Sequence, residues 1–103
     1  MMSYIDLINN FWLLDISQCF TPTETKYYFY FLHLGETFNW NCKITRTNVA
    51  LVSEICCSMN KFLKARERFS KLGLITYSKQ KGVKGYIYRI NNNYDVHEKL
   101  DEI

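Results

Sequence analysis

Four cysteines, two histidines and a dense block of lysine and arginine are the side chains of this 103-residue chain with chemistry to offer. Cys19, Cys42, Cys56 and Cys57 are unevenly spaced. Adjacent thiols serve one tetrahedral site poorly, and no C-x-x-C is present, so no metal or cofactor is expected. The cysteines read instead as reduced residues filling apolar positions in a cytoplasmic protein. His33 falls in an aromatic run and His97 in an acidic tail, with nothing to bring either beside a cysteine. A phosphate-cradling glycine loop, H-E-x-x-H and G-x-S-x-G are all missing. The expectation is a protein that is not an enzyme.

Charge is the remaining chemistry. Residues 1–40 hold one Lys against four Asp/Glu, a net of −3. Residues 41–91 hold eleven Lys/Arg against two acids, a net of +9, and residues 92–103 return to −3 with one Lys and four acids. A block this basic attracts polyanions. Within it Lys61, Lys64, Arg68 and Lys71 recur at spacings of three, four and three, beside Phe62, Ala65, Phe69 and Leu72 at similar spacings. One helix with a buried face and a basic face satisfies both patterns, which is what insertion into a DNA major groove requires. Ser58 and Asn60 stand at its start, where side chains and free N–H groups can meet bases or phosphates.

The elements that must position this helix follow from local signals. Ser3 caps a first helix to about Ser17, with Ile5, Ile8, Trp12 and Ile16 as its stripe and Phe11, Leu13 and Leu14 widening it. So wide a stripe lies either deep in a core or against another chain. Thr21-Pro22-Thr23-Glu24 is a capping box with proline at the first helical position, opening a second helix to about Phe38 through YYFYFLHL. Cys42–Thr45 is extended. Thr45 or Thr47 then caps a helix to about Ile55, with Val49, Leu51, Val52 and Ile55 inward. Cys56-Cys57-Ser58 breaks the chain, and Ser58 caps the basic helix, Met59 to about Leu72, which Gly73 ends.

Beyond Gly73 the period falls to two. Leu74–Ser78 and Tyr86–Ile90 form a hairpin through KQKGVKG, where Gly82 and Gly85 supply the turn. Its tip brings Lys79, Lys81 and Lys84 to the same duplex, and Lys43 and Arg46 are candidate phosphate clamps. Arg66 and Arg89 are weaker candidates that snorkel along the core edge or pair with Glu67 and Glu54. The fold expected is mainly α with a small β-hairpin wing, a winged helix-turn-helix over residues 1–91 that includes an N-terminal helical extension. Residues 92–103 are an acidic tail, either a short last helix or a linker. No run nears the roughly 18 apolar residues of a membrane span, and MMSYIDLINN lacks the features of a secretory signal.

SEICCSMNKFLKARERFSKLGLITYSKQKGVKGYIYRI resembles the helix-turn-helix and wing of winged-helix replication and regulatory proteins. Cys56-Cys57-Ser58 matches their Gly-Ile-Ser-like turn, and Phe69 to Gly73-Leu74-Ile75 their Leu-x-x-x-Gly-Leu-Ile close. The departures are Cys56 for the turn glycine and Phe69 for the leucine. With YIDLINNFWLLD and TPTETKYYFYFLHLGETFNW added, residues 3–91 resemble the N-terminal domain of DnaD-type replication initiation and primosomal proteins from phages, mobile elements and gut bacteria. The resemblance implies a double-stranded DNA-binding module that forms homo-oligomers and meets other replisome proteins, the chain being either a fragment, with the tail as linker, or a stand-alone relative. It also implies an oligomer interface on the first two helices. The residues allow this independently, since Phe11, Trp12, Tyr28 and Trp40 exceed what one small core needs. A transcriptional repressor of the same fold, or an oligomerisation module with little DNA affinity, are the competing readings. Neither a membrane nor a small-molecule substrate is expected as a partner.

Overall fold

The computed structural model describes residues 3–37, 44–79, 81, 82 and 84–91. In chain order these form α1 (Tyr4–Gln18), α2 (Pro22–Thr37), β1 (Ile44–Arg46), α3 (Asn48–Ile55), α4 (Met59–Leu72), β2 (Ile75–Ser78) and β3 (Tyr86–Ile90). The protein is mainly helical with one small antiparallel sheet. No helix among the described residues is long and apolar enough to cross a membrane.

The helix starts lie where the capping residues put them. The Ser3 N–H donates to Asp6 Oδ2 and the Asp6 N–H to Ser3 Oγ, each at 3.2 Å. Thr21 and Glu24 make the same reciprocal pair at 2.8 and 3.1 Å. Thr47 accepts from the Ala50 N–H and Ser58 from the Lys61 N–H. Each pair satisfies amide groups that a helix start leaves without intrahelical partners.

Two helix ends are less ordinary. Cys19 closes α1 and Cys56 closes α3, both in the left-handed region at φ 49° and 61°. Both thiols are exposed, and among the described cysteines Cys57 alone is part-buried. This corrects the expectation of cysteines filling apolar positions: Cys19 and Cys56 sit where the backbone must reverse, a position that glycine favours. Gly73, at φ 80°, ends α4 in that usual way.

The core is a ring cluster between the helices, closed by the sheet. α1 contributes Leu7, Phe11 and Leu14, and α2 contributes Tyr27, Tyr28, Phe31 and Leu32, all fully buried. Phe11 stacks on Tyr28 at 4.8 Å and Tyr27 on Phe69 at 5.4 Å, while Phe31 meets Tyr88 of β3 at 4.9 Å. The stripe expected on α1 is therefore turned: Ile5, Trp12 and Ile16 face outward, at 68, 49 and 78% exposure. On α3, Leu51 and Ile55 face inward, but Val49 is 73% exposed. In both helices apolar residues occur on more than one arc, and packing against neighbours decides which arc is covered.

The sheet has three strands in the order β1-β3-β2. The extended segment read at Cys42–Thr45 is, in its described part, an edge strand: Ile44 lies opposite Tyr88 and Arg46 opposite Tyr86. Cys42 lies outside the described residues. A three-residue strand whose partner is more than forty residues away carries no local pattern, so the sequence showed only the hairpin. β2 pairs β3 with Ile75 opposite Ile90 and Tyr77 opposite Tyr88. A Cβ at Gly85 would stand 2.6 Å from the Arg46 carbonyl oxygen, so glycine there lets β3 begin hard against the end of β1. Asn91 fastens the end of the hairpin to the end of α4, donating from its backbone to Leu74 O and from Nδ2 to Gly73 O.

The turn at Cys56 holds an L side chain in a backbone conformation costing roughly 1–2 kcal/mol. Its thiol returns only one weak hydrogen bond, to Ser53 O at 3.3 Å. We expect Cys56→Gly to raise stability by roughly 0.5–1 kcal/mol, the relief exceeding the added freedom of the unfolded chain. Equilibrium urea denaturation measures this, and a lower midpoint would contradict the strain.

Candidate nucleic-acid interface

Helix α4 carries the site, and its orientation follows from what it buries. Phe62, Ala65, Arg66 and Phe69 point into the protein. The outward face is then Asn60, Lys64, Glu67 and Lys71, spaced four, three and four, all exposed. Lys61 is exposed on the side toward α2. This differs from the stripe of Lys61, Lys64, Arg68 and Lys71 expected from spacing. The centre of the face carries the carboxylate of Glu67, and Arg68 falls on the flank. Lys71 lies 3.7 Å from Glu67 Oε1, and the Tyr77 hydroxyl donates to Glu67 Oε2 at 3.4 Å, drawing the carboxylate toward the sheet.

Arg68, expected on the DNA-facing stripe, is engaged within the fold as a clamp. Its Nη1 is 2.6 Å from Glu24 Oε1. Its Nη2 donates to the Gln18 carbonyl and to Gln18 Oε1, and the guanidinium lies 4.8 Å from the Phe20 ring centroid. The Gln18 carbonyl belongs to the last turn of α1, where carbonyls lack helical partners and the helix dipole favours a cation. One side chain of α4 thus caps the end of α1 and secures the start of α2.

Arg66 is 8% exposed, and in place of an ion pair with Glu67 or Glu54 it has an aromatic setting. Nη1 donates to Asn48 Oδ1 at 2.9 Å and to the Tyr88 hydroxyl at 3.2 Å. The guanidinium stands 4.4 Å from the Tyr77 ring and 4.5 Å from that of Tyr86. Ring faces attract a cation, so charge is accommodated at the core edge without a carboxylate. The contact joins α4, α3 and both strands of the hairpin, and so sets where the hairpin stands beside α4.

The remaining expected residues divide by whether the side chain is already engaged within the fold. Lys81 and Lys84 are exposed at the hairpin tip. Lys79 folds back, donating to Gly85 O at 3.0 Å with its ammonium 5.3 Å from the Tyr86 ring. Arg46 is part-buried on β1 and donates to Thr45 O at 2.9 Å. Ser58 is exposed, but its hydroxyl serves as the α4 cap. Lys43 lies outside the described residues. Of the expected oligomer contacts, Phe11 and Tyr28 are wholly inside the core and are corrected to core residues. Trp12 is half-exposed, and Trp40 lies outside the described residues.

Spacing did not reveal the groove of about 500 Å³ where α4 meets the start of α2, lined by Thr21, Thr23, Lys61, Lys64 and others. Only the capping box hinted that this helix start would be exposed. Among the described residues, no group of three or more His, Cys, Asp or Glu is placed to hold a metal ion. Burial, with the adjacent Cys56 next in effect, raises the Cys57 pKa and keeps its thiol protonated. No family model, curated protein or solved structure matches this chain.

Two predictions follow from the residues around α4. Arg68→Ala lowers stability by roughly 2 kcal/mol, since it removes charged hydrogen bonds and leaves Glu24 without its cation. A urea midpoint equal to wild type would show the clamp to be idle. The second concerns alkali. Burial raises the Tyr27 phenol pKa far above its ordinary 10.0, and that of Tyr88 as well, the latter against the Arg66 hydrogen bond. Unfolded phenols ionise first, so this contribution is complete below pH 10 and is lost as pH rises, by up to about 1.4 kcal/mol per pH unit per group. Tyr27→Phe removes one such group. Denaturation midpoints from pH 8 to 11 should fall less steeply for the variant, and parallel slopes would exclude a Tyr27 contribution.

Proposed function

We propose that this chain is a winged helix-turn-helix module that binds double-stranded DNA. In this reading α4 enters the major groove and the β2–β3 hairpin lies along the adjacent backbone or minor groove. The order α2-β1-α3-α4-β2-β3, with strands arranged β1-β3-β2, supports the architecture. The observation that carries the function is the exposure of Asn60, Lys61, Lys64 and Lys71 on a helix whose opposite face is core, beside a hairpin whose tip exposes Lys81 and Lys84.

Each residue type has a physical role. Lys61, Lys64, Lys81 and Lys84 displace condensed counterions from phosphates, which supplies most of the affinity. Asn60, in the first turn of α4, has the paired donor and acceptor that suit adenine in the major groove. Glu67 accepts hydrogen bonds only, which matches a base amino group and repels phosphate, so it works against indiscriminate binding. Arg66 and Arg68 act on geometry rather than on the ligand. The reading includes no catalytic step and no cofactor. The resemblance to DnaD-type proteins over residues 3–91 points to replication initiation as the process served, in preference to operator-bound repression.

Binding of a labelled generic duplex, followed by anisotropy across a salt series, tests the proposal. Four lysine–phosphate contacts give a slope of log affinity against log salt of about −3.6, and removing two flattens it by roughly 1.8. Lys81→Ala with Lys84→Ala should produce that change, while Lys79→Ala, whose ammonium already has partners, should produce less. A folded protein that fails to bind at low salt would falsify the DNA reading and favour a protein-interaction module.

A further inference from the structure

Helix α4 presents more cationic charge than the described residues neutralise. Glu24 is matched by Arg68, and Glu67 has Lys71 at 3.7 Å and the Tyr77 hydroxyl at 3.4 Å. Lys61 and Lys64 are exposed and stand in no ion pair among the described residues. Two grooves run past them. A shallow one lies over Leu63, Lys64, Glu67, Arg68 and Lys71. The other, where α4 meets the start of α2, sets Thr21 and Thr23 opposite the lysines. Leu63 is 37% exposed, so the first groove has an apolar edge.

We infer that this face is the docking surface for the chain's own acidic segment, residues 92–103. Charge is the first reason. Asp95, Glu98, Asp101 and Glu102 against Lys99 give the segment its net −3, and Val96 and Leu100, set between the acids, suit the Leu63 edge. Attachment is the second. Asn91 donates from its backbone to Leu74 O at 2.9 Å and from Nδ2 to Gly73 O at 3.0 Å, so the segment starts at the Lys71 end of α4. Length is the third. Asp95 lies within about 14 Å of chain from Asn91, and the whole segment can extend to roughly 40 Å, whereas Lys71 and Lys61 are about 15 Å apart along the helix axis. The acids can therefore pass Lys71 and reach Lys64 and Lys61. Lys81 and Lys84 form the competing cationic surface, but they precede β3 while Asn91 follows it, so the lysines of α4 are met first. Tethering gives an effective concentration near the millimolar range, which suits exposed ion pairs that are individually weak. Where α4 also takes duplex, as proposed above, the segment competes for the same lysines. That consequence rests on the DNA reading, and the docking does not.

Zero-length carbodiimide cross-linking of the full chain, read by peptide mass spectrometry, tests the inference by joining lysine amines to carboxylates in contact. Lys71 with Glu67 serves as the internal control. Links from Lys61 and Lys64 to the carboxylates of residues 95–102 should form in at least about fivefold the yield of those from Lys81 and Lys84, unchanged from about 5 to 100 µM protein. They should fall several-fold in about 0.5 M salt, which screens exposed pairs. Mixtures of unlabelled and heavy-nitrogen-labelled chain should give links within one isotope. Equal yields at the hairpin tip overturn the inference, as do links between isotopes, or no links to Lys61 and Lys64 while the control forms. Added generic duplex separates the two readings. A duplex that binds and leaves the α4 links intact overturns the competition, whereas links persisting in a chain that binds no duplex overturn the DNA reading and leave the docking in place.

Discussion

Phe69 sits where the rings of this protein converge. Its centroid is 5.4 Å from Tyr27, 5.7 Å from Tyr28, 5.5 Å from Phe20 and 6.5 Å from Phe11. Those neighbours come from α2, from the α1–α2 connection and from α1. A single side chain of α4 therefore sets the rotation of that helix against everything N-terminal to it. Rings pack in a limited set of tilted and stacked arrangements, and α4 cannot turn about its axis without breaking several at once. The solvent face of α4, with all the chemistry it carries, is the complement of this constraint.

That constraint also separates the basic residues into two populations. The fold uses Arg66 and Arg68: Arg66 inside an aromatic setting that joins the hairpin to α4, Arg68 across the junction of three helices. The lysines of α4 are exposed instead. The division suits the side chains. A guanidinium offers several donors in a fixed plane and tolerates burial against rings, whereas an ammonium is compact and strongly hydrated. The cationic surface is consequently smaller than the +9 of residues 41–91 suggests, and it is interrupted by Glu67.

α1 follows the same logic with apolar residues. Its inner arc completes the ring cluster, and its outer arc keeps Ile5, Trp12 and Ile16 in water. A helix with apolar residues on two arcs has two faces to satisfy, and this core satisfies one. The basic face of α4 and the bare face of α1 are two distinct surfaces, each fixed in direction by the side of its helix that is buried.

What the sequence alone determined here are the features encoded within a few residues: the three capped helix starts at Ser3, Thr21 and Ser58, the reversal at Gly73, the hairpin and the basic block. Each depends on hydrogen bonds or φ preferences spanning three to five positions, so the pattern is readable without knowing the neighbours. Tertiary structure alone decided what spans long separations. Examples are the third strand that pairs Ile44 with Tyr88, the ion pair between Arg68 and Glu24, and the burial of Phe11 in place of Trp12. In α1 and α4 several arcs were chemically eligible to face inward. Only competition between whole surfaces for the same core, settled by ring packing around Phe69, selected among them.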